Sequence, residues 1–97
     1  MKVIFHPEVE DEFVDAISYY ESCEPGLGID FSREVAVAIQ NVADYPETWP
    51  TVEEEVHRCL VHRFPYGILY NHESKAIHIL AVMNLHRDPD YWKHRLA

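Results

Sequence analysis

A chain of 97 residues is long enough to bury one hydrophobic core and too short for two, so residues 1–97 are expected to form a single domain. A hydrophobic content of 47% with 12% aromatic residues excludes disorder, and no apolar run approaches the roughly 20 residues of a membrane-spanning helix. The formal net charge of −9 and a pI near 5.1 exclude indiscriminate nucleic-acid binding by the whole surface and leave room only for a local basic patch.

Residues 2–5 are β-branched and aromatic and read as a first strand, stopped by Pro7. From Pro7 the spacing turns helical: Val9, Phe13, Ala16, Ile17 and Tyr20 form one stripe of a 3.6-residue repeat. Pro7 suits a first helical turn, and Glu8, Glu10, Asp11 and Glu12 crowd the end where the helix dipole is positive. Pro25, Gly26 and Gly28 break this helix and serve the turn after it. A second helix carries Phe31, Val35, Ala38, Ile39 and Val42 on one face, with Asp30 or Ser32 as its cap. Two such stripes in an αα-hairpin need a sheet to cover them.

Two prolines and an isolated Trp make residues 46–50 a loop, and the acidic residues 51–55 continue it to the next strand. Three strands follow, at 56–63, 66–72 and 76–83, the last two joined by the short turn Glu73-Ser74-Lys75. A short helix or turn is expected from Pro89 onward. The fold class is therefore α+β, in the order β-α-α-β-β-β, with an N-terminal αα-hairpin packed on a small, mainly antiparallel sheet. The N-terminus turns acidic at once, without the apolar stretch of a signal peptide. Cys23 and Cys59 stand alone as free thiols, so a cytoplasmic location is expected.

Charge divides the chain. Residues 1–55 hold fourteen Asp/Glu and two Lys/Arg, whereas residues 56–97 hold three Asp/Glu, six Lys/Arg and six of the seven His. An anionic partner is expected at the second half. The histidines form no His-Glu-x-x-His or His-x-His unit, so no metal and no cofactor is expected. His72 and His78 flank a hairpin turn, where strand register can bring a same-face pair together. A milder expectation is pH sensitivity, in which protonated imidazoles enlarge the basic patch. Cys59 reads as a small core residue, and Tyr66 and Tyr70 as packing on one strand face.

Three local patterns carry a resemblance. They are the strand running into an acidic helix start (Val3 onward to Phe13), the junction His62-Arg63-Phe64-Pro65-Tyr66, and the ending Asn84-Leu85-His86-Arg87-Asp88-Pro89-Asp90-Tyr91-Trp92. In this order and spacing the chain resembles the RelE/ParE superfamily of small bacterial toxins from type II toxin–antitoxin systems, and its ending is similar to the ParE-like, plasmid-stabilisation branch. The resemblance implies a growth inhibitor neutralised by a cognate antitoxin that covers the αα-hairpin and a sheet edge. It implies DNA gyrase as the target if the chain is ParE-like, or the ribosome and its messenger RNA if RelE-like. A nuclease of this kind would be a metal-independent endoribonuclease, with Arg63 and Arg87 as cations, His86 as proton-transfer group and Tyr91 as an orienting ring. A third reading is an inactive scaffold that only binds an antitoxin. Each residue also has a structural account: Arg63 bridging an acid of the helices, Arg87 pairing with Asp88 or Asp90, Trp92 capping the core. The acidic first half predicts that the docking segment of the antitoxin carries Lys or Arg, or docks by apolar contacts.

Overall fold

The computed structural model describes residues 2–96. In chain order it has β1 (Lys2–Phe5), α1 (Pro7–Cys23), α2 (Leu27–Asp44), β2 (Thr51–Glu53), β3 (Val56–Leu60), β4 (Tyr66–Glu73), β5 (Ala76–Asn84) and a closing 3₁₀ turn (Lys93–Leu96). The five strands form one sheet in the order β1-β5-β4-β3-β2, with β1 parallel to β5 and the other neighbours antiparallel. Among the described residues no helix is long and apolar enough to cross a membrane.

Pro7 occupies the first turn of α1, where a missing N–H costs nothing, and the His6 side chain accepts the Glu8 N–H as the cap. Neither Asp30 nor Ser32 caps α2. The capping position is Gly26 at φ 89°, a left-handed conformation that favours glycine. The Gly26 and Gly28 amides donate to the Glu21 carboxylate of α1, so the preceding helix supplies the cap. Gly28 serves close packing rather than the turn itself: a Cβ there would lie 2.6 Å from the Ile17 carbonyl oxygen of α1.

Two strand boundaries differ from expectation. Thr51–Glu53 is an extra strand, because Glu54 at φ 45° turns the chain so that Thr51 and Glu53 pair with His57 and Val56. Its residues are all exposed, and an edge strand tolerates such charge. The strand expected to run to residue 63 stops at Leu60, since Arg63 adopts φ 74° and the chain reverses, with Val61 N–H bonded to the Tyr66 carbonyl. The expected turn starts at Pro89, whose carbonyl accepts the Trp92 indole N–H, and runs into the 3₁₀ segment Lys93–Leu96.

The helices cover one face of the sheet. Phe31, fully buried, lies at the centre of that core against Phe13, Tyr20, Phe64 and Tyr66, with centroid separations of 4.8–6.1 Å. Tyr66 and Tyr70 belong to this core, and so does Cys59, whose thiol burial pushes up to about 11. A second cluster on the opposite face joins Val56, Leu69, Ala81 and Met83 under Trp92.

A bulge in β5 links the two faces. Tyr70 lies opposite Ile79 but Leu69 opposite Ala81, which leaves Leu80 as the extra residue. The insertion reverses the alternation: Ile77, Ile79 and Val82 face the helices, whereas Ala81 and Met83 join the Trp92 cluster. On its other side β5 loses its neighbour here, because β1 ends at Phe5 and the last bond runs from His6 N–H to the Ile79 carbonyl.

Candidate functional site at the C-terminal run

Past Ile79, the outer edge of β5 has backbone groups with no strand beside them, and an orphaned buried group costs about 1–3 kcal/mol. Two side chains take the place of that strand. Glu12 Oε1 accepts the Val82 N–H at 2.9 Å, and Arg95 Nη1 donates to the Leu80 carbonyl at 2.9 Å. The two also form a bidentate pair, Nη1 to Oε1 at 2.9 Å and Nη2 to Oε2 at 3.1 Å. Both side chains are almost wholly buried, at 6% exposure for Arg95 and 10% for Glu12.

Tyr91 extends this network outward. Its hydroxyl donates to Glu12 Oε2 at 2.7 Å, and burial, reinforced by that bond to a carboxylate, raises its pKa well above the ordinary tyrosine value. The Arg87 guanidinium lies over the Tyr91 ring, 3.8 Å from its centroid, and Arg95 approaches the same ring at 5.0 Å. A cleft of about 230 Å³ opens beside the pair, walled by Tyr19, Tyr66, Val82 and Asn84, with Asp15 and Glu12 from α1.

The structure brings Arg87 and Tyr91 together in the cleft, which neither of the other two candidates lines. Arg63 sits at the β3–β4 turn, 3.6 Å from Asp30 of α2. His86 is exposed, and its backbone N–H, not its ring, makes the local bond, to Asn84 Oδ1. Neither lines the cleft that holds Arg87 and Tyr91. Arg87 pairs with neither Asp88 nor Asp90; Asp90 instead takes Lys93 at 3.0 Å. Neither Glu12 nor Arg95 belongs to a motif that marks it in the sequence. One signal was available: Glu12 lies three residues after Val9 and four before Ala16, on the buried stripe of α1.

Folding also rearranges the charge. Arg63 meets Asp30, Lys93 meets Glu53 and Asp90, and Arg95 meets Glu8 and Glu12. Three of the six Lys and Arg of the basic half are thus held by carboxylates. Five histidines likewise stand within 4.0 Å of a glutamate: His6 and His94 at Glu8, His62 at Glu34, His72 at Glu47 and His78 at Glu73. His72 and His78 are not opposite one another, since His72 faces Ile77 and His78 faces Asn71 across the hairpin.

The hydrogen bond from His94 Nε2, 2.8 Å from Glu8 Oε2, holds the Glu8 carboxyl below its ordinary value, helped by the charge of Arg95. A depressed carboxylate contributes stability that is present above its unfolded pKa and lost as pH falls through the folded one. Lowering pH from the reference value of 4.5 should therefore reduce the urea midpoint less in Glu8→Gln than in the parent. Parallel midpoint-against-pH curves for the two proteins would refute this role.

A second concavity, about 440 Å³, lies between the helices and the end of β1. Phe5, Phe13, Val35, Ala36 and Ile39 line it, and Glu10 is its one charged wall. Phe5 is half exposed there.

Residues 3–89 match the family of ParE toxins of the type II toxin–antitoxin system parDE. The chain belongs to the ParE toxin family. None of the curated proteins compared with this ParE-family chain matches it. Among solved structures, a chain of the chromosomal ParDE toxin–antitoxin system from P. aeruginosa superposes with a TM-score of 0.70 at 13% identity. The match covers 88% of this chain and 96% of that one. At such identity the likeness is one of fold, and it agrees with the α+β architecture of two helices on a five-stranded mixed sheet.

Proposed function

We propose that this ParE-family toxin inhibits growth through DNA gyrase and is neutralised by a cognate antitoxin seated in the groove between α1 and α2. The observation that carries the target is that carboxylates of the chain itself engage three of the six Lys and Arg in the basic half. Binding to a phosphate-dense surface such as the ribosome depends on many free cations. Here Arg63, Lys93 and Arg95 are engaged by carboxylates, while the acidic turn at Glu53, Glu54 and Glu55 faces solvent. The endoribonuclease reading would need Arg63, His86, Arg87 and Tyr91 at one phosphate. The absence of Arg63 and His86 from the walls of the Arg87–Tyr91 cleft and the tightly held Tyr91 proton both weigh against it.

The antitoxin reading is supported by an apolar groove with an acidic wall at Glu10, which suits an amphipathic segment flanked by Lys or Arg. Affinity that rises as salt is withdrawn is the check on that charge match.

The target is tested by expressing the chain alone from a tightly repressed promoter. Growth arrest with gyrase-linked DNA breaks, lost in Arg87→Ala, is the expected outcome. Arrest with codon-positioned messenger cuts would replace gyrase by RNA cleavage. No arrest at all would leave an antitoxin-binding scaffold.

A further inference from the structure

Of the four cations in the run from Arg63 to Arg95 that lie outside the β4–β5 turn, three have carboxylate partners and Arg87 has none among the described residues. Among the described residues its side chain makes no hydrogen bond or ion pair, and it lies over the Tyr91 ring. A cation over an aromatic face keeps its full charge and its N–H donors, since the stacking is worth only about 0.5–1 kcal/mol at an exposed site. Arg87 therefore presents an unmatched, planar set of donors at the mouth of the cleft.

The cleft would repel an anion if Glu12 carried an open charge toward it. Arg95 removes that obstacle. It binds both Glu12 oxygens, and the Val82 amide and the Tyr91 hydroxyl complete the coordination of that carboxylate. Tyr66, Tyr91 and Val82 supply low-polarity walls, and Asn84 a neutral polar one. What remains is one free cation, Arg87, and one carboxylate on α1, Asp15.

We propose that this cleft is a socket for a single carboxylate side chain of a protein partner, with Arg87 as its anchor and Arg95 as the residue that silences Glu12. The proposal rests on the reading of the chain as a toxin with a protein target, and it names the chemistry by which that target would be held. A bidentate guanidinium–carboxylate contact needs one anion at short range. A polyphosphate chain would instead run past Asp15, which lines the same cleft, and along the other α1 carboxylates, each of its charges meeting repulsion. The geometry thus favours an Asp or Glu side chain over a nucleic-acid backbone.

The test is a titration of the ¹⁵N-labelled full chain by NMR with acetyl-Gly-Glu-Gly-amide, with the glutamine peptide and a nine-residue oligouridylate as comparisons. The expected result is saturable shifts at the Arg87 Nε–H and Tyr91 amide with the glutamate peptide at millimolar concentration. The Tyr91 amide shift should drop at least fivefold with the glutamine peptide and in Arg87→Ala, be only partly kept in Arg87→Lys, which retains the charge but not the planar fork, and be unaffected in Arg58→Ala. Equal shifts from the glutamine peptide, no shift at Arg87, or tighter binding of the oligouridylate at these resonances would overturn the socket. A chain that passes this titration but leaves gyrase untouched in cells overturns the target reading and not the socket.

Discussion

Arg95→Ala should destabilise the protein by about 3–5 kcal/mol, the usual effect of removing one member of a buried ion pair. The loss is a large part of the roughly 5–15 kcal/mol that holds a typical domain together. It arises because Glu12 stays behind, 10% exposed, without the guanidinium that bound both its oxygens. The Leu80 carbonyl loses its donor as well. In other proteins, replacing a buried pair by apolar residues is often neutral. That remedy should work only in part here, because Glu12 and Arg95 also satisfy Val82, Tyr91 and Leu80. A double variant Glu12→Leu/Arg95→Met is expected between the parent and Arg95→Ala. Urea unfolding of the three proteins checks the order, and a double variant less stable than Arg95→Ala would show that the pair is not the unit.

Phe31→Ala should be comparably severe, at about 3–5 kcal/mol for a large buried aromatic. Phe31 is fully buried and meets rings from α1, from the β3–β4 turn and from β4. Its removal leaves a cavity that backbone movement cannot close easily, because α1 and α2 are already in contact at Gly28. Phe31→Leu should retain more than half of the lost stability, since it keeps apolar volume but not the ring contacts. Thermal and urea unfolding measure both. A loss below about 1 kcal/mol for the alanine variant would contradict the central position of this ring.

These two sites differ in how far they could be read in advance. Phe31 stands on the apolar stripe with Val35, Ala38 and Val42, a pattern that helical geometry imposes on any buried face. Its role followed from spacing alone. Arg95 lies four residues beyond Tyr91, in a stretch whose only visible property was positive charge. Glu12 gave a partial sign, as a carboxylate on the inner stripe of α1. Its partner could not be named from the sequence, since 83 positions separate the two. Arg63 shows the intermediate case. Its pairing with an acid of the helices was one expected account, but its left-handed backbone, which ends the strand three residues early, carried no glycine or asparagine to announce it. The bulge at Leu80 was equally silent, because a continuous run of apolar residues hides a change of alternation.

Local geometry and composition suffice to specify the two helices, their inward stripes, the three long strands and the unequal charge of the two halves. Only the tertiary structure decided what the charge does. Placing β1 parallel beside β5 brings the start of α1 next to the end of β5 and the closing turn, so that Glu8 and Glu12 face His94 and Arg95. A buried carboxylate and guanidinium near an uncovered strand edge are stable only when each satisfies the other and the free backbone groups. That requirement draws Arg95 inward and leaves Arg87, stacked on Tyr91, as the cation of the C-terminal run still open to a partner.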